Sequence, residues 1–213
     1  MLTNSTQVVG TEGTVTDIEA VTAYNGKIYF RGRGATSGHE LWSWDETAYN
    51  LEADIYPGPL GATLSGVTND DRILAVGNKL FFPADDANTG VELWQYNIST
   101  STASPVADIA PGSLHSYPSN AMEVNGIVYF SSGGPNGIEL HSHDTATGIT
   151  AEVVDFSGSG NPGSLVWFNN KIYFGARNHA LGRELWSYDP ATGDTALVAD
   201  INPGSGWSAP GGV

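Results

Sequence analysis

The side chains able to do chemistry recur in sets. Asp54, Asp108, Asp155 and Asp200 each follow a short apolar run, in "ADIYPG", "ADIAPG", "VDFSGS" and "ADINPG". Four carboxylates gathered near one axis would suit a hard cation such as Ca²⁺, which takes oxygen ligands. The competing reading is that each Asp caps its own turn, because it travels with the turn residues. That reading is preferred, and no cofactor is expected. Asp85, Asp86 and Asn88 in "ADDANTG" resemble the start of a calcium loop, but the downstream acidic ligand is missing. A solvated loop is the simpler account. His141 and His143 alternate along one strand and so share a face, yet no third ligand is near them in sequence. His141 stands where the other copies of its motif carry Trp, which favours a buried interface histidine. His39, His115 and His179 form no nucleophilic triad with a Ser. No phosphate loop, dinucleotide fingerprint or nucleophile elbow is written in the chain.

These residues are carried on a repeat. The chain reads "ELWSWD" at 40–45, "ELWQYN" at 92–97, "ELHSHD" at 139–144 and "ELWSYD" at 184–189. A β-rich segment precedes each: "KIYF" (27–30), "KLFF" (79–82), "IVYF" (127–130) and "KIYF" (171–174). Asn25-Gly26, Gly77-Asn78, Asn125-Gly126 and Asn169-Asn170 supply tight hairpin turns before those segments. Each copy therefore predicts four short strands, a to d. A period of roughly 45–52 residues with four antiparallel strands is the pattern of a β-propeller blade. The expected fold is all-β, a single propeller domain over 1–213, with repeats at about 15–58, 66–112, 119–158 and 163–204.

Alternation along strand c sends Leu41, Leu93, Leu140 and Leu185 to one blade interface and Trp42, Trp94 and Trp186 to the other. The repeated Glu (Glu40, Glu92, Glu139, Glu184) sits at a costly place for a carboxylate. It is expected to accept hydrogen bonds from backbone N–H groups, or from a neighbouring hydroxyl or Arg.

Composition narrows the function. A net charge of −15 opposes nucleic acid binding. Cys is absent, which excludes disulfides and thiolate metal sites. No apolar window is long enough for membrane insertion, and the opening "MLTNSTQVVG" lacks the regions of a signal peptide.

The segments "NKIYFGA" (170–176), "GRELWSYD" (182–189) and "ADINPGS" (199–205) resemble the ELWxxDGT repeat family of bacterial proteins. The resemblance spans about Thr14 to Gly206. It implies propeller-type structure within large surface-associated or secreted proteins, and so an extracellular or cell-surface location. The Gly-Thr pair after the motif's Asp is missing here, and no activity carries over.

Both ends read as cut within a repeat, so a segment of a longer array is expected, with an extra terminal strand pairing across the closure, or copies that self-associate into a larger ring, as the alternatives. The b–c segments (31–39, 83–91, 131–138, 175–183) and the d–a connections read as long loops on one face, where binding residues concentrate. The candidates on that face are His39, Asp85, Asp86, His115, Tyr117, His179 and Trp207. The leading expectation is a non-enzymatic recognition or adhesion module for a glycan or protein ligand. The rivals are a cation-dependent propeller hydrolase or lyase, and a structural surface-assembly repeat.

Overall fold

The computed structural model describes residues 14–62, 73–156, 158–204, 206 and 208. Among them every regular element is a strand, so no helix is long and apolar enough to cross a membrane. Blade 1 holds β1 (Thr16–Tyr24), β2 (Lys27–Gly34), β3 (Gly38–Trp44) and β4 (Tyr49–Ala53). Blade 2 holds β5 (Leu74–Val76), β6 (Lys79–Asp85), β7 (Val91–Asn97) and β8 (Thr102–Pro105). Blade 3 holds β9 (Ser119–Val124), β10 (Ile127–Gly134), β11 (Gly137–Asp144) and β12 (Thr150–Val154). Blade 4 holds β13 (Gly163–Phe168), β14 (Lys171–Asn178), β15 (Gly182–Asp189) and β16 (Asp194–Ala199). Each is a four-stranded antiparallel meander in chain order. The chain is built of β-propeller blades.

Local turn chemistry sets the hairpins. Asn25-Gly26, Asn125-Gly126 and Asn169-Asn170 carry positive φ at both positions, as type I′ turns need. At Gly77-Asn78 only Gly77 is positive, the type II′ variant. The c–d turns are closed by the sixth motif residue. Asp45, Asn97, Asp144 and Asp189 each accept the backbone N–H two residues on.

The inner strands β1, β5, β9 and β13 lie beside one another in succession, which orders the blades round an axis. Tyr29 and Leu41 of blade 1 share a core with Leu80, Phe82 and Trp94 of blade 2. Phe81 and Leu93 of blade 2 meet Val128 and Phe130 of blade 3. Tyr129 and Leu140 of blade 3 meet Ile172, Phe174 and Tyr188 of blade 4. The Leu-bearing face of one blade thus packs on the Phe/Trp-bearing face of the next, as the alternation predicts. His141 fills the Trp slot, buried and stacked on Phe130 at 5.7 Å. Blade 4 departs from the pattern: Leu185 and Trp186 are only half-buried.

Two expectations need correction. The b–c segments are not long loops. Strands b and c run almost to their tips, leaving only 35–37, 86–90, 135–136 and 179–181 between them. Their glycines hid this, because a glycine in a strand contributes no alternation signal. Gly32 is needed where it stands, since a Cβ there would lie 2.6 Å from Val15. The Asp ring is also not near the axis. Asp54, Asp108, Asp155 and Asp200 follow β4, β8, β12 and β16, the fourth and outermost strand of each blade, and all are exposed.

Candidate functional site

The repeated Glu is a fastener for the d–a connections. Glu40 accepts the N–H groups of Ile55, Tyr56 and Ala62 at 2.7, 3.0 and 3.0 Å. Glu92 accepts the Ala110 N–H at 2.9 Å and the Ser116 hydroxyl at 2.6 Å. Glu139 accepts from Phe156 and Gly160, and Glu184 from Ile201. All four are buried. Burial pushes the Glu40 and Glu139 carboxyls up to about 7, against the downward pull of the N–H donors. Burial likewise raises Glu92.

The residue before each Glu reinforces the tie. The carbonyls of Val91, Ile138 and Arg183 accept the N–H groups of Ser116, Asn161 and Ser208. In blade 1 His39 forms a parallel bridge with Gly61, where a side chain would collide with the His39 backbone. The connections then reach the next blade. Gly133 donates its N–H to the Ser116 carbonyl and Arg177 donates to that of Gly160, each at 2.6 Å. The loops of blades 2 and 3 are thus clamped between strand c of their own blade and strand b of the following one, and their backbone on this face is fixed.

The sequence candidates distribute over this face. His39 is half-buried on β3, not in a loop. Its Nε2 lies 3.9 Å from an Asp17 carboxylate oxygen, and burial and nearby Arg33 hold its pKa below the usual value. Asp85 ends β6 and accepts the Ala87 N–H. Asp86 accepts the Asn88 and Thr89 N–H groups and the Thr89 hydroxyl. One carboxylate oxygen of each, Oδ1, is thus used within an Asx turn. His115 Nδ1 accepts the Val91 N–H at 2.9 Å, and its ring stacks on Tyr117 at 5.2 Å. Both are exposed, and Tyr117 holds a positive φ of 45°. His179 is exposed at the β14–β15 turn, with its ring against Gly158. Trp207 lies outside the described residues. Only His115 and Tyr117, of this set, are brought into contact.

Asp108 caps its turn as the preferred reading has it, accepting the Gly112 N–H at 3.2 Å. Among the described residues no group of three His, Asp or Glu side chains converges as a metal site. His143 is buried, accepting or donating at Thr150 Oγ1, and burial holds both His141 and His143 below the usual histidine pKa.

Sequence reasoning missed a cleft of about 460 Å³ lined by Asn120, Ser159, Asn161, Ser164, Arg177 and Arg183. It lies on the same face, between the loop of blade 3 and strands b and c of blade 4. Arg177 and Arg183 are directly opposite each other across β14 and β15. A signal was present: the two lie at matching distances either side of the hairpin turn, which aligns them once that turn is known to be tight.

No family model matches the chain. No curated protein matches it either. Solved structures do. A puromycin hydrolase superposes with a TM-score of 0.54 at 11% identity, over 91% of this chain and 29% of that one. A puromycin-hydrolyzing peptidase from Mycobacterium tuberculosis gives 0.55 at 10% identity, over 87% and 29%. A TolB-type protein from Agrobacterium tumefaciens gives 0.52 at 8% identity, over 93% and 70%. The chain thus spans less than a third of the length of the hydrolases it resembles. At these identities the likeness is one of fold, and it agrees with the architecture read from the strands: this chain is built as a β-propeller.

Proposed function

We propose that the chain is a non-enzymatic recognition module that binds a glycan or protein ligand through its b–c/d–a face. We also propose membership of the ELWxxDGT repeat family, with the extracellular or cell-surface setting which that resemblance implies. The observation that carries the binding reading is the fastening of the d–a connections. In blades 2 and 3 a buried Glu and a strand-c carbonyl fix the loop at several points, so ligand contacts there lose little conformational entropy. The exposed His115–Tyr117 stack and the arginine cleft supply aromatic and hydrogen-bonding groups on that fixed frame. The test is a glycan and protein array probed with the 213-residue chain, alongside a panel of small hydrolase substrates. Ligand capture without turnover is the expected result. Turnover with no captured ligand would overturn the reading.

A further inference from the structure

We infer that the Arg177–Arg183 cleft is a binding site for the carboxylate of an acidic sugar; this rests on the recognition reading and names its ligand class. Two guanidinium groups placed opposite each other on one sheet face repel, and such pairs destabilise a sheet unless something offsets them. Among the described residues neither is ion-paired to a carboxylate. Arg183 spends one N–H on the Asn161 carbonyl at 2.8 Å, and burial holds its pKa below the usual arginine value. Arg177 is exposed and its guanidinium is free of any hydrogen bond or ion pair to the described residues. This happens in a chain whose net charge is −15, where acidic partners abound.

Blade 1 supplies the internal control. Arg33 and His39 occupy the same register as Arg177 and Arg183. There Arg33 donates to the Pro59 carbonyl, and acids stand beside the histidine and the neighbouring Arg31. Strand a carries Asp17 and Glu19; Asp17 lies 3.9 Å from His39, and Glu19 pairs with Arg31 at 2.5 Å. In blade 4 strand a reads "GSLVWF"; Gly163 takes the place of Glu19, and Asn161, two residues earlier, that of Asp17. Blade 4 thus carries two arginines where blade 1 pairs one arginine with a histidine, its strand a lacks the carboxylates, and a cleft lies beside the pair.

The lining narrows the class further. Asn120, Ser159, Asn161 and Ser164 present amides and hydroxyls, which suit a ligand with several hydroxyl groups around its charge. The acidic surroundings disfavour polyanions, whose second and third charges would meet repulsion. A uronic acid, one carboxylate on a hydroxylated ring, meets both conditions. Paired guanidinium N–H donors match a planar carboxylate in geometry.

The experiment titrates the 213-residue chain with sodium glucuronate, glucose and inorganic phosphate by calorimetry. It then repeats the titration with Arg177→Gln and with Asn161→Asp, which places an acid where blade 1 has Asp17. Glucuronate is expected to bind better than glucose or phosphate. Each substitution should weaken it about tenfold or more, the loss of one charge-assisted contact. Both should raise the melting temperature of the ligand-free protein, because each relieves the arginine repulsion; a merely structural Arg177 would lower it. Equal binding of glucose, or glucuronate affinity unchanged in Arg177→Gln, would overturn the inference. Array capture of neutral glycans that survives Arg177→Gln would remove this site alone and leave the recognition reading standing.

Discussion

The seam between blades 3 and 4 and the far face of blade 4 are made of the same residue types and have different fates. In the seam, Tyr129 and Leu140 are covered by Ile172, Phe174 and Tyr188, and Leu140 is 0% exposed. On blade 4 the equivalent Tyr173 and Leu185 are half-buried, while Val166 and Phe168 beside them are 55% and 59% exposed. The repeated hexamer thus encodes an adhesive face, and the neighbour determines whether that face becomes core. A motif residue's contribution to stability is set by the next blade as much as by its own.

The comparison is broken most directly by truncating the two leucines. Leu140→Ala is expected to cost about 2–5 kcal/mol, as transfer and cavity terms add. Leu185→Ala should cost roughly 1 kcal/mol or less, since a half-buried site leaves little cavity. Urea unfolding curves of the two variants decide it; equal losses would mean that blade 4 is covered in solution.

The glutamates sharpen it next. Both Glu40 oxygens accept backbone N–H groups, so Glu40→Gln turns an NH₂ against an N–H and should cost about 1–3 kcal/mol. Glu184 Oε1 is buried without a donor, so Glu184→Gln can place its NH₂ there and should be nearly neutral. Melting temperatures of the two variants provide the check.

The same fasteners predict a pH dependence. The Glu40 and Glu139 carboxyls are raised from 4.5 to about 7 in the folded chain. Between those values the folded state binds more protons than the unfolded one, so stability falls as pH rises from about 4.5 to about 7. Glu40→Gln should flatten that slope, as thermal melts across the window would report. The smallest effect belongs to the open face: Phe168→Ser should change stability by roughly 0.5 kcal/mol or less in urea unfolding.

Strand order, hairpin turns and the two-faced packing were legible because each is written locally: positive-φ dipeptides, β-branched segments and Leu/Trp alternation. The buried acceptor role of Glu40 and its copies was also legible, because a packed carboxylate has few other options. The extent of strands b and c was not, since "RGRG" and "SSGG" give no periodicity. Nor was the radial place of Asp54 or Asp200, because distance from an axis depends on which strand lies innermost. The Arg177–Arg183 pair stayed hidden for the first of these reasons.

The clamped connections have a consequence for exchange. Glu92 and the Val91 carbonyl hold Ala110 and Ser116, and nothing in that clamp uses the side chains of 111–114. Glu139 holds Phe156 and Gly160 in the same way over a shorter span. Foreign peptide segments grafted between such anchor points should be displayed without retuning the sheets, making the fold a chassis on which new specificities can be swapped cassette by cassette.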